Sequence, residues 1–319
     1  MALLDWLLDS DPAIRWQVLQ DLTDAPADVV AGERARVATE GWGARLLALR
    51  GEDGQWAGGA FFPAGYRPSG DGQPWTATSW SLGLLRDFGL DPSSDVARET
   101  VALVRANSRW EHDGQRFFDG EVEPCINGRT VALGAYFGED VEGIVERLLA
   151  EQLEDGGWNC WTEYGDTRSS FDSTINVLEG LLAYEQATGG TPQISAARRR
   201  AEEYLLDRAL FRRKSTGEVA VPGYLTFSFP PRWHYDVLRG LEHFRLAGGA
   251  PDVRLDEAVG LVRDKQQPDG AWVLEDTRPG AAHFALEDGD GRPSRWNTLR
   301  ALRVLRWHQE SSGRAFRLP

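Results

Sequence analysis

The chain is poor in several features, and each scarcity excludes a class of protein. Only Cys125 and Cys160 are cysteines among 319 residues. Two thiols so far apart in the sequence give no disulfide framework and no metal-ligand spacing, so we expect a reducing compartment and no metal site. No run reaches the roughly 18 apolar residues that span a bilayer. Asp5, Asp9 and Asp11 interrupt the N-terminal stretch where a signal peptide needs continuous apolar residues, so we expect a cytoplasmic protein.

Positive charge is also scarce. The chain has 35 basic and 49 acidic residues, a formal charge of −14 at pH 7. This balance argues against nucleic acid or an anionic membrane surface as the main partner, although it leaves a peripheral membrane contact open. Lys214 and Lys265 are the lysines of this sequence, and the other basic residues are arginine, an imbalance consistent with a GC-rich bacterial genome. A hydrophobic content of 41% is ample for a packed core.

What the sequence does contain is a repeated motif, Gln-x-x-x-Gly-x-Trp, which we call the tryptophan motif. Its copies are Gln152–Gly156–Trp158, Gln266–Gly270–Trp272 and, with arginine in place of glutamine, Arg50–Gly54–Trp56. The stretch 107–114, with Trp110 displaced, is a candidate fourth copy. Apolar residues spaced three and four apart precede Gln152 and Gln266 and predict amphipathic helices. The glycine then ends each helix, because it accepts a left-handed backbone.

A second kind of helix, more apolar, is predicted between these motifs. Its members are 11–22, 74–88, 124–137, 170–185, 231–245 and 293–307. Six apolar helices that alternate with amphipathic ones predict an all-α fold, an (α/α)6 toroid of six inner and about six outer helices in a single domain, 1–319. The alternative is an open solenoid of helical pairs, which needs atypical polar repeats at its ends.

The tryptophan motifs between helices resemble those of the squalene–hopene cyclase, terpene cyclase and protein prenyltransferase β-subunit superfamily. The resemblance implies a toroid whose central cavity binds an isoprenoid or another apolar molecule. It does not extend to the family's catalytic signatures, because Asp-x-Asp-Asp and Asp-Asp-x-x-Asp are absent. The zinc-ligand positions fall on Phe171, Ser173 and Ser294. We therefore expect no cofactor, with magnesium required only if the substrate is a diphosphate.

The acidic cluster nearest to the missing signature contains Glu287, Asp288 and Asp290. Glycines interrupt it, so we expect a solvated turn. Candidate catalytic residues lie instead at the predicted starts of inner helices, which ring the mouth of such a toroid. They are Asp172, His234 and Asp236. Asp172 serves equally well as a helix cap, whereas His234 suits proton transfer.

Substrate-binding candidates come from the same helix starts. They are Trp75, Asn127, Phe171, Asn176, Tyr235, Arg295 and Trp296. The aromatic rings can stabilise a carbocation, and Arg295 can bind diphosphate; packing in a core and an ordinary surface arginine are the alternatives. The stretch 209–233 is either a lid over the cavity or an ordered loop.

Three functions fit these observations. The first is a terpene-cyclase-like or prenyltransferase-like protein that binds an apolar, isoprenoid-like substrate and starts cyclisation with an acid. The second is a non-catalytic toroid that binds a small molecule or a protein. The third is an (α/α)6 carbohydrate-active enzyme in which Asp172 and Asp236 form the carboxylate pair.

Overall fold

The computed structural model describes residues 3–68, 70, 72–311 and 313, and their fold is all-α, as predicted. The helices are α1 (Leu3–Leu8), α2 (Pro12–Leu22), α3 (Ala27–Ala35), α4 (Gly41–Leu47), α5 (Thr78–Phe88), α6 (Asp95–Asn107), α7 (Pro124–Phe137), α8 (Glu142–Ala150), α9 (Phe171–Thr188), α10 (Pro192–Leu206), α11 (Val237–Ala247), α12 (Asp256–Asp264) and α13 (Arg295–Ser311). Short 3₁₀ helices lie at Arg36–Ala38, Phe117–Asp119, Thr162–Tyr164, Pro222–Leu225 and Val253–Leu255. Strands β1 (Trp272–Val273) and β2 (Pro293–Ser294) pair antiparallel. No helix in the described ranges is long and apolar enough to cross a membrane.

All six apolar stretches form helices, namely α2, α5, α7, α9, α11 and α13. Four of them begin within two residues of the predicted start, and the other two begin four and six residues later. α5 begins at Thr78 rather than at 74, and α11 begins at Val237 rather than at 231. The delay in α11 arises after the prolines, because Arg232 adopts a left-handed backbone (φ 58°) and Asp236 is extended (φ −140°, ψ 160°). The carboxylate of Asp236 then caps α11 by accepting the backbone N–H of Arg239 at 2.8 Å.

The chain divides into two compact units. Unit one comprises the described residues up to Ala31, Glu202–Arg278 and those from Leu286 onward; unit two comprises Gly32–Ala201 and Pro279–Ala285. The core of unit one includes Ile14, Val18, Leu238, Leu241, Leu299 and Leu302, and that of unit two includes Trp80, Leu85, Val131, Ile175 and Leu178. The single toroidal domain over 1–319 stays a prediction.

In unit two, glycines allow α7 and α9 to approach closely. A Cβ atom at Gly128 would lie 2.5 Å from the backbone oxygen of Asn176, and one at Gly180 would lie 2.3 Å from the backbone oxygen of Gly128. Neither distance can accommodate a side chain. The close approach fixes the starts of the two helices relative to each other, and these starts carry several predicted site residues.

The three tryptophan motifs fold alike, and they join α4 to α5, α8 to α9 and α12 to α13. Each buried indole N–H donates to a backbone oxygen ten residues earlier: Trp56 to Leu46 at 2.7 Å, Trp158 to Leu148 at 2.8 Å and Trp272 to Val262 at 2.7 Å. Each backbone N–H of these tryptophans donates to a threonine in the following helix: Thr78 at 3.2 Å, Thr174 at 3.1 Å and Thr298 at 2.9 Å. Each tryptophan is therefore hydrogen-bonded to the helix before it and to the helix after it, and we call this pair of hydrogen bonds the staple.

Trp110, the displaced tryptophan of the candidate fourth copy, makes a different contact. Its indole donates to the backbone oxygen of Phe117 at 2.9 Å, and the two rings stack with centroids 4.7 Å apart. Both belong to a turn closed by a bridge between Arg109 and Arg116. The stretch 107–114 therefore makes its contacts within this turn. Trp110 does not link α6 to the following helix as the tryptophans of the other copies link their helices.

Candidate functional site

The start of α13 in unit one gathers a carboxylic acid, a serine and two stacked aromatic rings. Ser294 caps the helix, since its Oγ accepts the backbone N–H of Asn297 at 2.9 Å and also donates to Oε1 of Glu287. The backbone N–H of Trp296 donates to the same carboxylate oxygen at 3.4 Å. Glu287 is therefore docked on a helix N-terminus and half-buried. The expectation of a solvated turn is wrong for this residue, although Asp288 and Asp290 are exposed as expected.

Burial makes Glu287 a weak acid. It raises the pKa of this carboxyl from 4.5 to about 7, and it outweighs the hydrogen bonds from Ser294 and from the backbone, which lower the pKa. A carboxyl with this pKa is protonated in a large fraction of molecules at neutral pH and can deliver its proton, as a general acid requires. The sequence did not single out this residue, because Gly289 and Gly291 follow it and suggest a turn. The capping serine seven residues later was the available signal.

Aromatic rings lie beside this acid at the same end of α13. Trp296 stacks on Phe229 with ring centroids 4.2 Å apart and planes 10° from parallel. Asn297 holds the segment that carries Phe229, because its side-chain amide donates to the backbone oxygens of Phe227 at 3.2 Å and of Val273 at 3.1 Å. Trp296 is 2% exposed, so packing accounts for the ring in the free chain, and its predicted contact with substrate stays a prediction.

His234 lies before the start of α11, half-buried, with its ring centroid 3.6 Å from that of Trp233. Burial, together with the positive charges of Arg278 and Arg239, lowers the pKa of His234 from 6.5 to about 3. The imidazole is therefore neutral at physiological pH and is a weak base. Tyr235, the next residue, is buried and donates its hydroxyl to the backbone oxygen of Leu210 at 2.7 Å.

Asp236 is fully buried and belongs to a network of charges inside unit one. Beyond capping α11, its carboxylate lies 3.8 Å from the guanidinium of Arg300, which also pairs with Glu242. Burial raises the pKa of Asp236, while Arg300 lowers it. The geometry gives this residue a structural task, and its predicted catalytic role stays a prediction.

Arg295, predicted to bind substrate, points toward α1. Its guanidinium donates to the backbone oxygens of Trp6 at 3.2 Å and of Asp9 at 3.1 Å and lies over the ring of Trp6. These bonds attach the start of α13 to the first helix of unit one. A diphosphate would have to compete with them.

The other predicted site residues lie in unit two. Asn127 binds the loop before α7, because its amide contacts both backbone polar groups of Glu121 at 2.6 and 2.8 Å. Asn176 donates to the backbone oxygen of Asp172 at 2.7 Å. The indole of Trp75 donates to the backbone oxygen of Pro279 at 2.9 Å.

Asp172 and Phe171 form the first turn of α9. The capping oxygen of this helix is Oγ of Ser170, which accepts the backbone N–H of Ser173 at 3.0 Å. Asp172 is half-buried and Phe171 is buried. A first-turn carboxylate is favoured by the helix dipole, and neither its catalytic role nor the substrate contact of Phe171 is tested by this placement.

The two cysteines, distant in the sequence, meet in space. The thiol sulfurs of Cys125 and Cys160 and a carboxylate oxygen of Glu123 all lie within 4.8 Å of one another. A hydrogen bond with Cys160, together with burial, raises the pKa of the Cys125 thiol. The start of α7 and the loop before α9 thus bring together groups that are distant in the sequence, and the expectation of no metal site stays a prediction.

A separate open pocket of about 410 Å³ lies in unit two, lined in part by Phe62, Tyr66, Arg109 and Glu111. The carboxylate of Glu111 accepts the backbone N–H groups of residues 60–62 at 2.9–3.1 Å. These bonds make Glu111 the support of the loop that forms the pocket wall. None of the predicted site residues lines this pocket.

Comparison with protein-family models gives no match, and comparison with curated proteins gives none either. Among solved structures, the chain is similar to the type II terpene cyclase MstE from Scytonema in its apo form, with a TM-score of 0.37 and 16% identity over 86% of this chain and 96% of the other. A variant of MstE in complex with its substrate, geranylgeranyl dihydroxybenzoate, gives the same values. At this TM-score nothing about substrate or mechanism follows for the present chain.

Proposed function

We propose that the protein binds an apolar, isoprenoid-like substrate and that Glu287 starts a reaction on it as a general acid. The observation that carries the proposal is a half-buried carboxyl with a pKa of about 7, held by Ser294 at the start of α13 beside an aromatic stack. Such an acid has a proton available at neutral pH.

The acidity of Glu287 restricts the class of substrate. Protonation of an alkene needs an unusually strong acid, whereas a carboxyl whose pKa is raised is suited to a more basic atom, such as an epoxide oxygen. The proton passes from Glu287 to that oxygen, the C–O bond breaks with both electrons going to oxygen, and a carbocation forms. The ring of Trp296, if the bound substrate reaches it, stabilises this cation. We therefore propose an epoxidised isoprenoid rather than an unmodified one.

The carbohydrate-active alternative loses support. It requires Asp236 as an accessible carboxylate beside a sugar, and Asp236 is fully buried as the cap of α11. The non-catalytic toroid remains the second candidate, because the aromatic residues of both units suit an apolar ligand whether or not a reaction follows.

The test is product analysis with squalene, farnesyl diphosphate and geranylgeranyl diphosphate, each with and without its terminal epoxide and with and without magnesium. We expect turnover of an epoxide without magnesium, and a loss of about 10²–10⁴-fold in Glu287→Gln. Asp288→Asn, an exposed neighbour in the same loop, is the matched control and should retain activity. A thermal shift without product would favour the non-catalytic candidate, and neither shift nor product would refute the isoprenoid proposal.

A further inference from the structure

Three side chains at the start of α7 and the end of the second tryptophan motif have the chemistry of a metal site. Glu123 and Cys125 flank Pro124, the first residue of α7, and Cys160 follows Trp158 by two residues. Their ligand atoms lie within 4.8 Å of one another, and Sγ of Cys125 is 3.5 Å from Oε2 of Glu123. Tetrahedral zinc, with Zn–S near 2.3 Å and Zn–O near 2.0 Å, requires S···O of about 3.5 Å and S···S of about 3.8 Å. The three groups thus need little movement to bind one ion.

The protein scaffold around these groups is rigid. The staple of Trp158 fixes the chain just before Cys160 to both α8 and α9. Ser173, in the first turn of α9, accepts the backbone N–H of Cys160 at 3.2 Å and donates its hydroxyl to the Cys160 sulfur at 3.2 Å. A donor to a ligating sulfur is a typical outer contact of a metal site, where it orients the ligand. The close α7–α9 contact at Gly128 holds Cys125 in register with this loop.

We propose that Glu123, Cys125 and Cys160 form a zinc-binding site with an open fourth position. Two thiolates and one carboxylate match zinc and exclude magnesium or calcium, which prefer oxygen ligands throughout. Both thiols lose their protons to solvent when the ion binds. Structural zinc sites are closed by four protein ligands, whereas catalytic ones keep a position for water or substrate. Glu123 is exposed, so water, or an anionic oxygen or sulfur group, can reach the ion.

The site shares no residue with the acid at Glu287 and its cap. It lies in unit two, whereas Glu287 lies in unit one. Failure of either proposal would leave the other unaffected.

The experiment measures zinc directly in the full chain, purified under a non-chelating reductant and freed of any affinity tag. We expect one equivalent of zinc by elemental analysis after dialysis, and a thiolate-to-metal charge-transfer band when cobalt replaces zinc. Cys125→Ser and Cys160→Ser should abolish this band. Glu123→Gln, which leaves both thiols and alters an exposed side chain, should weaken zinc binding by more than about 10-fold. Glu163→Gln, an exposed carboxylate in the following loop, is the matched control and should bind zinc as the wild type does.

Two results would overturn the proposal. One is a wild-type chain that binds no zinc and gains no thermal stability from zinc at concentrations that saturate ordinary protein sites. The other is a chain that binds no metal under reducing conditions and that, under mild oxidation, loses the mass of two hydrogens by mass spectrometry. That result would identify the two cysteines as a dithiol that forms a disulfide. Circular dichroism of each variant separates loss of the site from loss of the fold, and Glu123→Gln keeps the test valid should a cysteine variant not fold.

Discussion

Burial shifts the proton equilibria of two side chains in unit one in opposite directions. The deprotonated form of Glu287 carries the charge, so burial disfavours that form and the pKa of the carboxyl rises. The protonated form of His234 carries the charge, so burial disfavours that form and the pKa of the imidazole falls. Both shifts favour the neutral group. Only the pKa of Glu287 lies near neutral pH, where a general acid works best, whereas a pKa of about 3 makes His234 a weak base.

The raised pKa of Glu287 predicts a specific dependence of stability on pH. The folded chain binds this proton more tightly than the unfolded chain, so its stabilising contribution is complete below about pH 4.5 and is lost as the pH rises through about 7. The difference corresponds to about 3 kcal/mol. We expect Glu287→Gln to remove this pH-dependent loss of stability. The free energies of unfolding of variant and wild type, measured by denaturant titration, should therefore diverge between pH 4.5 and 7.

Asp288→Asn is the control for this titration, since it removes a neighbouring exposed carboxylate. Its stability should follow that of the wild type across the same range. Parallel curves for Glu287→Gln and the wild type would show that Glu287 ionises freely in the folded chain, and the acid role would then lack its basis.

At the scale of the element, the staple explains why a tryptophan follows a turn in three places. The indole satisfies a carbonyl near the end of the preceding helix, where carbonyls lack a partner within the helix. The backbone N–H of the same residue satisfies a threonine hydroxyl of the following helix. The ring fills the space between them and is fully buried in all three copies. Each tryptophan therefore links two consecutive helices and fills the space between them.

Trp158→Ala should lower the free energy of unfolding by about 3–5 kcal/mol, because it leaves a cavity and an unsatisfied carbonyl at Leu148. Trp161, three residues later, is 62% exposed and provides a control with the same change of residue type. We expect Trp161→Ala to stay within about 0.5 kcal/mol of the wild type. Equilibrium denaturation measures the free energy of unfolding of both variants. Equal losses in Trp158→Ala and Trp161→Ala would contradict the role of Trp158 as a staple.

Helix approach in unit two gives a second prediction at this scale. Gly128→Ala places a methyl group 2.5 Å from the backbone oxygen of Asn176, so α7 and α9 must separate. We expect a loss of about 1–3 kcal/mol and, if the zinc proposal holds, weaker zinc binding. Gly260→Ala in α12 meets no atom within 4 Å and should instead stabilise the chain by about 0.5–1 kcal/mol. Thermal denaturation compares the two, and a Gly128→Ala chain as stable as the wild type would contradict the close contact.

At the scale of the molecule, the sequence carried the helical pattern but not the contacts that assemble the sites. Periodicity predicted the all-α class and the six apolar helices, because a buried stripe repeats along one element. Periodicity could not predict that Glu287 contacts the start of α13 or that Cys125 lies close to Cys160. Each of these contacts joins two separate segments of the chain, and only tertiary packing determines how far apart such segments lie. Periodicity also assigned 231–236 to a helix, where the left-handed backbone of Arg232 and the cap at Asp236 delay the start. Local signals therefore set the elements, and tertiary packing set the candidate sites.

Net charge is the molecular property that bears on partners, and it predicts the absence of nucleic-acid binding. The chain has 14 more acidic than basic residues, and several arginines are engaged in ion pairs, among them Arg254 with Glu203 and Arg300 with Glu242. A polyanion would meet net repulsion and would have to break such pairs. We expect no change in the fluorescence anisotropy of a labelled DNA duplex or RNA hairpin at low salt, where electrostatic attraction is strongest. Binding that weakens steeply as salt is added would contradict this prediction, because that dependence is the signature of phosphate contacts.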